Sequence, residues 1–104
     1  MFIFVDDIRT TTNKEWINAR TPDEAIELIN TAVKNEEEIN ISFDHDLGGE
    51  LTSRSIINYM LYNGITPTTA NVHSANPVGA QWLETALNRD FGHPIPKIEI
   101  PHWI

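Results

Sequence analysis

The stretch NISFDHDLGG, residues 40–49, decides the fold. An apolar run leaves the core and meets Asp44, His45 and Asp46, then two glycines. Polar groups crowded at the end of a buried strand cost stability unless something binds them.

The chain around it repeats one pattern. MFIFV, 1–5, is a continuous apolar run that stops at Asp6, which suits a strand covered on both faces. EWINAR, 15–20, reads as a short strand, and INISF, 39–43, as the next. TTANVHS, 68–74, is a fourth strand and KIEI, 97–100, a fifth. Pro94, Pro96 and Pro101 crowd the fifth and place it at the sheet edge.

Three helices fall between the strands. RTPDEAIELINTAV, 20–33, has Thr21 as cap, Pro22 at the first helical position and Glu24 to complete a capping box. LTSRSIINYMLYNG, 51–64, starts at Thr52 or Ser53 and stops at Asn63-Gly64. NPVGAQWLETALN, 76–88, has Asn76 as cap and Pro77 after it. Strands alternating with helices predict a single three-layer α/β domain over residues 1–104, a mostly parallel five-stranded sheet with helices on both faces.

One junction is short. About eight residues join the first two strands, where a parallel crossover normally takes a dozen or more. Eight extended residues reach roughly 26 Å, enough to recross a short strand. A loop in place of the first helix is therefore preferred over an antiparallel pair.

Composition sets limits. A chain of 104 residues is one domain by size, and with no cysteine it has neither disulfides nor thiolate metal sites. The formal net charge of −8 disfavours binding along a nucleic-acid backbone. No apolar run reaches the roughly 20 residues of a membrane span. MFIFVDD lacks a basic leader start, so a cytoplasmic location is expected. The acidic run NEEE, 35–38, reads as a solvated loop.

Ligands of an open parallel sheet bind outside the carboxyl ends of its strands. There the first strand delivers Asp6-Asp7, the third Asp44-His45-Asp46, the fourth His73-Ser74, and the fifth Pro101-His102. Clustered carboxylates must protonate or share a cation. Asp6, Asp7 and Asp44 offer the hard oxygens that Mg²⁺ or Mn²⁺ takes, and Asp46 reaches the same side if the backbone stays extended. The helix start after Asn76 opens an anion seat beside His73 and Ser74. Plainer roles compete: Asp7 or Asp46 alone suits a turn or cap, His73 a structural histidine, and Arg9 a partner for the acidic rim. Arg54 reads as helix surface, His93 as loop, and Trp16, Trp82 and Trp103 as core or rim.

An acidic pair after the first strand, an aspartate after the third and Ser74-Ala75 after the fourth resemble the receiver domain of bacterial response regulators, a flavodoxin-like fold. The resemblance implies metal-holding acids at Asp6 and Asp7, a phosphoacceptor at Asp44 and a hydroxyl switch at Ser74. Receivers carry Lys-Pro after the fifth strand, whereas this chain reads Ile100-Pro101 with His102 next. VDDIR at 5–9, FDHDLG at 43–48 and HSANPVGA at 73–80 resemble a narrower group, the receiver-like domains proposed to process cyclic phosphates.

The resulting expectation is a metal-dependent phosphoesterase for a small cyclic or terminal phosphate of nucleotide type. Mg²⁺ or Mn²⁺ on Asp6, Asp7, Asp44 and Asp46 neutralises the phosphate. His45 or His73 serves as general base or acid. Arg9, Ser74 and Asn76 hold phosphate oxygens, and Asp44 is either ligand or direct nucleophile. The alternative is a non-catalytic or phospho-accepting signalling module on the same fold.

Overall fold

The first helix, α1 (Pro22–Lys34), forms where its caps direct it. Thr21 Oγ1 accepts the Glu24 N–H at 3.1 Å, and Glu24 Oε1 reaches back to the Arg20 N–H at 2.7 Å. Ala25, Ile29 and Ala32 recur at helical spacing and are fully buried, so one stripe faces the sheet. At the second helix, α2 (Arg54–Tyr62), the Arg54 N–H goes to Thr52 Oγ1 at 3.3 Å. Ser53 caps nothing; its buried hydroxyl donates to the Asp44 carbonyl and ties the helix to the preceding strand. In α3 (Pro77–Arg89) the Asn76 Oδ1 accepts both the Val78 and Gly79 N–H groups at 3.1 Å.

The computed structural model describes residues 1–98 of the chain. Its strands are β1 (Phe2–Val5), β2 (Trp16–Ala19), β3 (Asn40–Phe43) and β4 (Thr69–Val72). They form a parallel sheet in the order β2-β1-β3-β4. Among the described residues no helix bridges β1 and β2, yet the pair is parallel, so the short loop does make the crossover. No helix among the described residues is long and apolar enough to cross a membrane.

The sheet has four strands among the described residues, not five. Of the expected fifth strand at 97–100, Glu99 and Ile100 lie outside the described residues, as do Pro101, His102 and Trp103. The described part docks on β4 without a ladder. Ala70 donates to the Pro96 carbonyl at 3.0 Å, while Asn71 uses its amide side chain on both the N–H and the C=O of Ile98. Proline lacks the N–H a ladder needs, and a side chain stands in for backbone.

Alternation along the strands sorts the two sheet faces. Ile3, Val5, Ala19, Ile41, Phe43 and Ala70 share one apolar cluster with all three helices. Each fully buried isoleucine there contributes on the order of 1.5–3 kcal/mol. The other face carries Phe2, Phe4 and Trp16, whose rings lie 5.1 and 6.4 Å apart as Phe2–Trp16 and Phe4–Trp16. Its polar positions include Asn40 and Ser42. The crossover loop runs on this side, with the Thr11 N–H on Asn18 Oδ1 at 3.4 Å. The outer layer on this face is loop, as the short first crossover implies, so the described helices pack on one face of the sheet and not on both.

Candidate functional site

Register brings the site together. Val5 pairs with Phe43 and Phe43 with Val72, so the next residues, Asp6, Asp44 and His73, fall in one row at the carboxyl ends of three adjacent strands. Backbone bonds extend that row: the Asp44 N–H reaches the Val5 carbonyl at 2.9 Å and the His73 N–H the Phe43 carbonyl at 2.8 Å. One carboxylate oxygen from each aspartate and one His73 nitrogen lie within 4.8 Å of one another. Two oxygens and one imidazole nitrogen at that spacing suit one divalent cation.

Asp6 is 1 % exposed and heavily bonded. Its Oδ1 accepts the Ile8 N–H at 2.9 Å and the Arg9 N–H at 2.7 Å, and its Oδ2 accepts Arg9 Nε at 2.9 Å. Burial pushes the Asp6 pKa up, but the two N–H groups and the guanidinium together outweigh it and hold the carboxyl below its ordinary value. Arg9 also donates to the His73 carbonyl at 2.9 Å and lies 3.9 Å from Asp44 Oδ2. The repulsion that the sequence poses is thus relieved by an internal cation.

His73 is held on three sides. Its ring stacks on Phe4 with centroids 4.4 Å apart and planes 2° from parallel. Nε2 is 3.2 Å from Asp6 Oδ2, and Nδ1 is 2.7 Å from Ser42 Oγ. Burial and the neighbouring Arg9 charge lower its pKa, against the pull of Asp6 and Asp44, so the imidazole is favoured neutral.

The Asp-His-Asp turn splits by the same alternation. Asp44 faces the row, its Oδ1 accepting the His45 N–H at 2.8 Å. His45 turns to the helical face and is buried under Gly79 of α3. Both its ring nitrogens are engaged: Arg54 Nε donates to Nε2 at 2.9 Å, so Nδ1 carries the proton and donates to Asp46 Oδ1 at 2.9 Å. Asp46 is held below its ordinary pKa by that bond and by the Asn76 amide at 3.1 Å. The Arg54 guanidinium in turn lies 4.9 Å from the centre of the Trp82 ring.

An open cavity of about 350 Å³ meets the row at Asp44 and is lined also by Asp7, Arg9, Asp46, Ser74 and Asn76, with Asp6 and His73 outside its lining. Asp7 and Asp46 are therefore on the rim and outside the group of three. Gly48 beside Asp7 takes φ 92°, a backbone conformation that favours glycine. The helix start is less open than its sequence implies, since Asn76 takes the Val78 and Gly79 N–H groups; Ser74 Oγ accepts the Asn76 N–H at 3.1 Å.

Two participants escape a reading of the sequence. Ser42 is a lone hydroxyl in a buried strand, and its polarity there is the only hint. Arg54 reads as surface yet anchors His45; nothing in its spacing signals this. The family model described as cyclic-phosphate processing receiver domain matches residues 1–89. No curated protein and no solved structure matches the chain.

Proposed function

The chain belongs to the cyclic-phosphate processing receiver domains, and from that premise we propose that it is a metal-dependent phosphoesterase acting on a small cyclic or terminal phosphate. One observation carries the reading. Three donors from three strands lie within 4.8 Å of one another, beside a cavity with the dimensions of a small ligand. Asp6, Asp44 and His73 would hold the cation. The imidazole among the donors suits Mn²⁺ better than Mg²⁺, which prefers oxygen throughout. A bound cation supplies charge neutralisation at phosphorus and a water of lowered pKa.

The chain's own residues supply the rest. Arg9, 55 % exposed at its side chain, is free to turn from the carboxylates to a phosphate. Ser74 presents a hydroxyl to the same cavity, and the α3 dipole favours the anion there. Asn76 positions Asp46 with its amide and caps α3 with its carbonyl. His45 orients Asp46 from below. The net charge of −8 disfavours long polyanions and leaves small phosphates as the ligand class.

The test is incubation with Mn²⁺ and a panel of 2′,3′-cyclic nucleotides, cyclic dinucleotides and ADP-ribose cyclic phosphates. Turnover of at least one, lost in Asp44→Asn, is expected. No turnover by folded, metal-loaded protein would sink the enzyme reading. The second reading, a phospho-accepting module, draws on Asp44 facing the cavity. It requires acetyl phosphate to label Asp44.

A further inference from the structure

Ser42 is fully buried in β3, one strand from the sheet edge, where a serine hydroxyl has an obvious cost. Its Oγ lies 2.7 Å from His73 Nδ1. Asp6 receives three donors, two backbone N–H groups and the Arg9 Nε, so it is an acceptor-only carboxylate. His73 Nε2, 3.2 Å from Asp6 Oδ2, must therefore carry the proton in this state. Nδ1 is then bare, and the Ser42 hydroxyl donates to it.

A cation on Asp6, Asp44 and His73 requires the opposite arrangement. The same Nε2 is the nitrogen nearest Asp6, and it binds a metal only without its proton. The ring then carries its proton on Nδ1, which becomes a buried donor. A backbone carbonyl or a carboxylate at position 42 would fix one arrangement permanently. A hydroxyl both donates and accepts, and it turns between the two by rotating one bond. The parallel stack on Phe4 keeps the ring plane fixed throughout.

We infer that Ser42 is a positioning residue that lets His73 exchange tautomers: it donates to Nδ1 when Nε2–H bonds Asp6, and accepts from Nδ1–H when Nε2 takes a cation. Water takes the Nε2 proton as the cation binds and returns one to Nδ1 of the partly solvated ring, so the ring remains neutral and Ser42 keeps its own proton. This rests on the metal reading above and adds a role to a residue outside the ligand set.

The experiment has two readouts that need no turnover. The ¹⁵N shifts of the His73 ring are recorded with chelator and with Zn²⁺, and Mn²⁺ affinity is measured by calorimetry for wild type, Ser42→Ala and Ser42→Thr. The expected result is Nε2–H without metal and Nδ1–H with it. Ser42→Ala binds Mn²⁺ roughly ten- to a hundredfold more weakly, and Ser42→Thr, which keeps the hydroxyl, recovers most of that loss. Wild-type affinity in Ser42→Ala would overturn the role of Ser42 and leave the metal site standing. An Nδ1–H ring in the metal-free wild type would overturn the exchange, whichever variants fold. A wild type that binds neither ion would remove the metal site and the inference together.

Discussion

Replacing Arg9 by Gln separates the two cations that this site can use. In the metal-free protein Arg9 is the internal one. It bonds the 1 % exposed Asp6 at 2.9 Å and the His73 carbonyl at 2.9 Å, and it lies 3.9 Å from Asp44. A hydrogen bond to a charged group contributes about 1.5–3 kcal/mol, and removing one partner of a fully buried pair costs about 3–5 kcal/mol. Two features reduce that figure. Half of the Arg9 side chain is solvated, and Asp6 keeps its bonds from the Ile8 and Arg9 N–H groups. A loss of about 1–2 kcal/mol follows, or roughly 5–15 °C in melting temperature for a domain of this size. The pH dependence has a definite sign. The Asp6 pKa is lowered from 3.8, so its contribution is present above that pH and lost as pH falls through the lower folded value. Arg9 is among the causes of the lowering, so the gap between wild type and variant is full at neutral pH and closes below 3.8. Mn²⁺ reverses the ranking of responses. With no guanidinium to displace, the variant binds the ion more tightly and gains more melting temperature from a fixed Mn²⁺ concentration. Circular-dichroism melts with EDTA and with Mn²⁺ give both numbers. An Arg9→Gln protein that melts like wild type in EDTA, or gains less from Mn²⁺, would refute the competition between Arg9 and a metal.

Other substitutions probe other parts of the site. Gly79→Ala should destabilise: helix propensity favours alanine by about 1 kcal/mol, but the new Cβ would sit inside the His45 ring's contact distance, and overpacking costs about 1–3 kcal/mol. Urea denaturation reads the net loss, and a more stable variant would show that His45 yields freely. His73→Gln, in chelator, should flatten the acid side of the stability profile. The folded His73 pKa is lowered from 6.5, so wild type loses stability as pH falls below that value while the variant keeps it; parallel profiles would contradict this. Asp44→Asn keeps an acceptor for the His45 N–H, so it should melt within a few degrees of wild type while losing Mn²⁺ affinity at least tenfold by calorimetry.

The row of site residues was legible because each member directly follows a run that reads as a strand: Asp6 after MFIFV, Asp44 after NISF, His73 after TTANV. Strand-end position is a sequence property, and parallel register converts it into proximity. What lies around the row was less legible. Asp46 and His45 depend on how far alternation persists after the strand stops, and it persists long enough to bury His45 beneath α3. Arg9 folds back on Asp6 through a loop whose path no periodicity encodes. Ser42 reads as a polar interruption until His73, 31 residues later in the chain, is placed against it. Among the described residues no fifth strand forms: Pro96 offers only its carbonyl to β4, and at Ile98 the Asn71 side chain stands in for backbone.

The most direct measurement is an anomalous difference map from a crystal grown with Mn²⁺ and inorganic phosphate. The account predicts one manganese peak about 2.0–2.3 Å from a carboxylate oxygen of Asp6, one of Asp44 and a nitrogen of His73, with phosphate beside it near Ser74 and Arg9 turned toward that anion. A peak held only by the rim acids Asp7 and Asp46, or no peak while Arg9 keeps its bond to Asp6, would contradict it.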